Sequence, residues 1–281
     1  MTVKIITDSL SDITSDIAEV LGITTVPVYV RFGEEVYKDR VEITTEEFYR
    51  RLVSDESFPS TTQPTPKDFL DVYEEAAGET DEILVINLSS KLSGTYQSAT
   101  QAKEMYGGKA RIEIIDSQLV IMGLGLIVIA VAKAAQSGAT LDEAAKMVRQ
   151  YMPRAHSVML VDTLKYLAKG GRIGKAQGML GSLLSVKPVL TVKDGEVSPM
   201  TRMRSRAAGI DYLCNYVAGY PNIAELAVEH ATTRQEAEAL ADRLGEVFPR
   251  EHIYISTVSP VIGTYVGPQV ISVSLLEKIQ E

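Results

Sequence analysis

Short apolar runs alternate along the first half of the chain with segments whose apolar positions recur every three or four residues. Val3–Thr7, Thr24–Val30, Glu82–Asn87 and Arg111–Ile115 are predicted strands, and Ile13–Leu21, Glu46–Val53, Lys67–Ala77 and Gly94–Tyr106 the helices between them. This alternation predicts a parallel α/β sheet. Helix starts are marked by capping-box spacings at Thr44 with Glu47 and Thr140 with Glu143, and by the cap-proline pair Thr65-Pro66. The second half changes style. Ser157–Val161, Ile223–Glu229, Ile253–Thr257 and Val270–Ser274 read as strands, with helices over Ser205–Ala218 and Arg234–Val247. Lys187–Val192 and Glu196–Met200 form a hairpin turning at Lys193-Asp194-Gly195. The pattern therefore predicts an α/β protein of two domains, an N-terminal parallel-sheet α/β domain and a C-terminal α+β domain with a mixed sheet. The boundary falls near Met152-Pro153, after a helix over Leu141–Tyr151, giving domains 1–153 and 154–281, with residues near 54–80 packing against the second.

Ser117–Ala132 is almost wholly apolar but shorter than the roughly 18 residues that span a bilayer. It reads as a buried core helix, or else as a cavity wall in which Gly123 and Gly125 leave room for an acyl chain. The length of 281 residues suits two domains. A net charge of −9 gives no basic field for nucleic acid and little attraction to anionic headgroups, so any lipid function must run through a pocket. The single cysteine, Cys214, excludes an intramolecular disulfide framework and fits a reducing compartment. The first residues run straight into a strand pattern without a signal-peptide signature, so a cytoplasmic location is expected.

Polar clusters sit where predicted strands end: Thr7-Asp8-Ser9, Ser89 to Thr95, and Asp116-Ser117. Ligands of open α/β sheets bind at such ends. A helix starting near Gly94 offers free amides beside serine hydroxyls, which suits an anion, although an ordinary cap and turn has the same look. Pro59-Ser60-Thr61-Thr62-Gln63-Pro64 is a stiff loop that either shows hydroxyls to a carboxylate or merely connects. Lys169 to Lys175 is glycine-rich and basic, yet Ala176 follows Lys175 where a P-loop needs Ser or Thr. With Arg202, Arg204 and Arg206 it is either a docking or phosphate patch or a solvated face. No G-x-S-x-G elbow or G-x-G-x-x-G loop is present, and His156, His230 and His252 lack zinc spacing. Asp8 and Asp12 lack the Asp-x-Asp of a phosphotransferase, so Asp8 and Ser9 are expected to cap the Ile13–Leu21 helix. Neither a metal nor a cofactor is expected.

Several pieces occur in a telling order: Thr7-Asp8-Ser9 with Asp12-Ile13, the Pro59–Pro64 loop, Ser90 to Tyr96, Asp116-Ser117, Thr163 to Leu167 leading into Lys169 to Gly174, Lys187-Pro188, and Gly263 with Gly267-Pro268. Together they resemble the DegV family over nearly the whole chain. The resemblance implies a non-enzymatic carrier that buries a long-chain fatty acid such as palmitate between its domains or within one. It implies that Thr61 or Thr62 and Ser93 bond the carboxylate, with the Gly94 amide nearby. In the FakB-like branch such carriers present the lipid to a fatty acid kinase, and Arg172 and Arg204 match arginines expected at partner docking or phosphate handling. The pattern departs at Tyr265, where the family commonly has histidine, and at Gln269, which replaces a glycine. A tyrosine hydroxyl still donates to a carboxylate but lacks the charge that histidine can carry near neutral pH. That departure favours plain binding over kinase-linked turnover. Two other readings stay open: a serine acyl hydrolase using Ser93, and a phosphate or nucleotide module on Gly170 to Lys175.

Overall fold

The computed structural model describes residues 3–55, 57–182 and 186–279; Met1 and Thr2, where the N-terminal reading begins, lie outside them. In the first half the strands are β1 (Lys4–Asp8), β2 (Thr24–Val26), β3 (Tyr29–Phe32), β4 (Glu35–Lys38), β5 (Ser60–Thr62), β6 (Glu82–Asn87) and β7 (Arg111–Asp116). The helices there are α1 (Ser15–Leu21), α2 (Thr45–Ser54), α3 (Pro66–Ala77), α4 (Thr95–Met105), α5 (Ile121–Gln136) and α6 (Leu141–Tyr151). The second half carries β8 (Ala155–Leu160), β9 (Lys187–Lys193), β10 (Glu196–Met203), β11 (Ile223–His230), β12 (Ile253–Thr257) and β13 (Ile271–Glu277). Its helices are α7 (Lys165–Lys169), α8 (Arg206–Ala218), α9 (Arg234–Leu244) and α10 (Pro260–Val266).

The fold is α/β, as the alternation predicts. A parallel sheet runs in the order β2-β1-β6-β7. A mixed sheet runs β10-β9-β8-β13-β11-β12, antiparallel except between β11 and β12. A third sheet, β4-β3-β5, was not legible. The predicted strand Thr24–Val30 is in fact two strands in different sheets, β2 and the start of β3. Pro27 lies at the break, where a residue without an N–H cannot continue the ladder. The Val28 amide turns away to the Ser9 hydroxyl, 3.1 Å away. The Pro59–Pro64 segment, expected as a loop, carries β5, because its β-branched threonines pair with the edge of β3.

Local signals held where they had a mechanism. Thr65 with Asp68 and Thr140 with Glu143 make reciprocal capping boxes. Thr44 accepts from the Glu47 amide, but Glu47 spends its carboxylate on Arg50 and gives no return bond. Asp8 caps a short 3-10 turn, Ser9–Ser11, rather than the following helix. Asp12, in the left-handed region at φ 54°, ends that turn, and α1 starts afresh after Thr14. At the β9–β10 hairpin, Asp194 and Gly195 both have positive φ, the primed two-residue turn. That turn docks on the first half: Ser89 Oγ donates to the Gly195 carbonyl at 2.7 Å and Lys91 Nζ to the Asp194 carbonyl at 2.7 Å.

α5 is the buried core helix of the Ser117–Ala132 segment. It touches β1 of the parallel sheet and β8, β11 and β13 of the mixed sheet, and is apolar on all sides accordingly. Its glycines serve close packing rather than space for a ligand. A Cβ on Gly123 would run into Ser157 Oγ, and one on Gly125 into the Ser11 carbonyl. Gly125→Ala is therefore expected to cost about 1–3 kcal/mol, since backbone must shift to admit one methyl group. Urea unfolding measures it, and an unchanged midpoint would contradict this packing. The largest apolar cluster crosses both halves of the chain, with a smaller cluster on the outer side of each major sheet.

Candidate functional site

Strand ends, β5 and three helices converge on one cavity. Leu10 follows β1, Leu88, Leu92 and Ser93 follow β6, and Val120 and Ile121 open α5. Thr61 and Gln63 come from β5 and the residue after Thr62, Met159 from β8, Val197 from β10, Leu167 from α7, and Val261, Ile262, Tyr265 and Val266 from α10. The cavity is small, about 80 Å³, and opens to solvent. Ligand pockets span roughly 300–1,000 Å³, so a long ligand enters this one only if its apolar walls part. Its polar lining is Thr61, Gln63, Ser93, Arg172 and Tyr265; the other described lining residues are Leu, Val, Ile and Met. Gln63 and Arg172 are exposed, Thr61, Ser93 and Tyr265 are half-buried, and nearly all the apolar lining is buried. The polar group therefore forms the mouth and the apolar group the interior. No carboxylate faces the cavity among the described lining residues. Such a mouth offers hydroxyl, amide and guanidinium donors, the complement of a carboxylate or similar head, above an apolar interior.

The mouth is built by alternation and tight backbone approach. Thr61 and Gln63 point to one face of β5 and Thr62 to the other, where it is exposed and outside the lining. Thr61 Oγ1 and the Tyr265 hydroxyl share a hydrogen bond of 2.5 Å between residues 204 apart in sequence. Ser93 Oγ lies 2.9 Å from Thr95 Oγ1 and accepts from the Thr95 amide at 3.3 Å, in the first turn of α4. Gly94 is the N-cap of α4 and stays outside the lining; a side chain there would overlap the Gln63 amide. The Arg172 guanidinium sits 5.3 Å from the Tyr265 ring centre and donates to the carbonyls of Leu92 at 3.3 Å and Gly170 at 3.0 Å. Arg204 is exposed, just before the Ser205 cap of α8, and does not reach the cavity.

Two alternatives lose their geometry. Two of the three glycines of the basic loop serve close packing, since a Cβ at Gly170 would strike the Tyr265 ring and one at Gly174 the Val197 carbonyl; Gly171 faces open space and supplies a positive φ of 73°. Lys175 lies 3.5 Å from Asp194 and 3.7 Å from Glu196, so the loop presents no preformed phosphate cradle. Ser93 has Thr95 rather than a base as its hydrogen-bond partner, and no histidine lines the cavity among the described residues. His156 is bonded to Glu277 at 2.8 Å. Gln63 is the mouth residue that motif reading passed over, although period-two alternation from Thr61 points to it. Met159 and Val197 carry no local signal, because tertiary contact alone brings them to the cavity.

Behind the cavity lies a buried acidic group that sequence reading also missed. Asp8, Asp12, Asp39 and Glu229 are fully or almost fully buried. Burial pushes Asp8 and Asp39 up to about 6 and Glu229 up to about 7, against hydrogen bonds that pull the other way. Burial also lifts Asp12 well above the usual carboxylate range, although Arg40 opposes it. Arg40 bonds Asp12 at 3.2 Å and the Ile13 carbonyl at 3.2 Å, and also reaches the Thr257 carbonyl.

A family model described as an uncharacterised protein of the DegV family matches residues 2–278. The chain belongs to the DegV family. A DegV domain-containing protein of Caldanaerobacter subterraneus subsp. tengcongensis is 36% identical over 279 residues, 98% of this chain and 99% of that one. A DegV family protein from Thermus thermophilus, described by its fatty acid binding, superposes with a TM-score of 0.92 at 31% identity, covering 99% of this chain and all (100%) of that one. DegV of Bacillus subtilis, described as a fatty acid binding protein, gives 0.90 at 28% identity, covering 99% and 100%. Among the described residues no helix is long and apolar enough to cross a membrane.

Proposed function

We propose that this DegV-family chain is a non-covalent carrier of a long-chain fatty acid, working in the cytoplasm. The observation that carries the reading is the cavity itself, an apolar chamber whose donors gather at the mouth with no acidic side chain among its described lining. Thr61, Ser93 and Tyr265 are the hydroxyls assigned to the carboxylate, with the Gly94 amide beside Ser93 and Arg172 supplying positive charge. Thr62 leaves that set because it faces away. Each buried methylene contributes roughly 0.8 kcal/mol, so the chain supplies affinity while the hydroxyls fix the head. Fatty acid binding by the Thermus and Bacillus relatives supports the same ligand class. Arg172 and the exposed Arg204 are assigned to docking an acidic partner surface, such as that of a fatty acid kinase, or to phosphate handling. Tyr265 keeps that hand-off secondary to binding.

Protein purified from a bacterial host is expected to release a fatty acid on denaturing extraction, read by mass spectrometry. Ser93→Ala is expected to weaken retention several-fold, equivalent to about 1 kcal/mol for one lost hydrogen bond. It should leave any background cleavage of an activated acyl ester unchanged. Finding no lipid, and no uptake of added palmitate, would sink the carrier reading; steady ester turnover abolished by Ser93→Ala would restore the hydrolase.

A further inference from the structure

The walls of the cavity hang on the buried carboxyls. Asp8 Oδ2 accepts from the Leu88 amide at 2.8 Å and from Asn87 Nδ2 at 3.0 Å, while Oδ1 accepts from the Leu10 amide at 3.1 Å. Leu10 and Leu88 both line the cavity, and Leu88 leads into the loop that carries Ser93. Asp39 accepts from Ser9 Oγ at 2.7 Å, and that hydroxyl in turn accepts from the amide of Val28, another lining residue. Glu229 accepts from the Met122 amide at 2.9 Å, next to the lining residue Ile121. Asp12 accepts from the Ser259 amide at 3.2 Å, at the cap of α10.

We propose that Asp8 is a positioning residue for the cavity, with Asp39 in the same role beside it, so that ligand affinity depends on the charge these carboxyls carry. The proposal rests on the lipid-carrier reading. An ionised carboxylate accepts every donor aimed at Asp8; a protonated one becomes a donor itself and holds the remaining donors more weakly. Asn87 Oδ1, buried without a partner, is an acceptor to which such a proton can turn. The surroundings set the range. Arg40 is the cation facing the group; Asp12 and Glu229 are acidic; and Tyr49 from α2 faces Asp12, Asp39 and Arg40. Burial places the titration of Asp8 and Asp39 near pH 6.

The test uses a fluorescent long-chain fatty alcohol, which has no titrating head. Affinity of the full chain for it is expected to fall about tenfold between pH 7.5 and 5, the difference between a charged and a neutral acceptor. The midpoint should lie near 6. Asp8→Asn is expected to bind weakly already at pH 7.5 and to show a shallower profile. A role in folding alone would not produce this, because acidification is expected to strengthen the fold while it weakens binding. A flat wild-type profile, or Asp8→Asn binding as tightly as wild type at pH 7.5, overturns the proposal. If Asp8→Asn does not fold, the wild-type profile decides. Failure of both the alcohol and palmitate to bind at any pH overturns the carrier reading, and this proposal with it.

Discussion

Replacing Arg40 with methionine is expected to destabilise the protein by about 3–5 kcal/mol at pH 8, the range for removing one partner of a buried ion pair. The lower end is the better guide, since 21% of the Arg40 side chain is exposed while Asp12 is fully enclosed. Methionine keeps much of the stem's volume and removes the charge. Asp12 then loses its counter-ion, and the Thr257 and Ile13 carbonyls lose their donor. The same substitution should cost much less at pH 5.5, where the surrounding carboxyls take up protons and need no cation. Urea unfolding at the two pH values reads both numbers. Equal costs at both, or a cost below about 1 kcal/mol at pH 8, would mean that Arg40 does not hold this cluster together.

Acidification itself should stabilise the wild-type protein. The pKa of Asp8 and Asp39 rises from 3.8 to about 6 on folding, and that of Glu229 from 4.5 to about 7. The folded state thus binds these protons more tightly than the unfolded chain. Their contribution is fully present below the unfolded values and is lost as pH rises through 6 to 7. Each shift of about two units corresponds to about 3 kcal/mol, so several kcal/mol should be gained between pH 8 and about 5. Two effects oppose the gain lower down. Burial depresses the pKa of His230, so acid favours the unfolded chain there. Exposed carboxylates whose partners lower their pKa, such as Glu35 and Asp55 beside Arg51, give up that help once protonated. The optimum is therefore expected near pH 5. A melting temperature that stays flat or falls from pH 8 to 5.5 would contradict the buried, uncompensated state of these carboxyls.

The periodicity of the chain exposed the two major sheets because each strand announces itself locally. Ile83 to Ile86 form a continuous apolar run, as a strand buried on both faces must, and Val3, Ile5 and Ile6 mark β1 despite Lys4. What escaped was set by partners distant in sequence. Pro27 splits one apolar run between two sheets, and β5 exists only because β3 offers an edge. At the mouth, Thr61, Ser93, Arg172 and Tyr265 were legible from motifs, and the structure brings all four to one cavity. Thr62 faces elsewhere, since neighbours in sequence point to opposite sides of a strand and a motif does not say which side is inward, and Arg204 sits in the bend between β10 and α8, outside the lining. Asp8 looked like a helix cap because a carboxylate before a helix usually is one. Its partners are the last residue of β6 and the one after it, 79 and 80 positions further on.

The hydrogen bond between Thr61 and Tyr265 also bears on synthesis. The cavity wall is completed by α10, and β13, which follows it, lies between β8 and β11 in the mixed sheet, so neither the wall nor the sheet behind it can form until residues 260–277 have left the ribosome. Lipid can be enclosed only after that. Until then the apolar residues of the cavity have no fold to bury them, and a chain truncated before Pro260 would lack both the wall and the middle of that sheet.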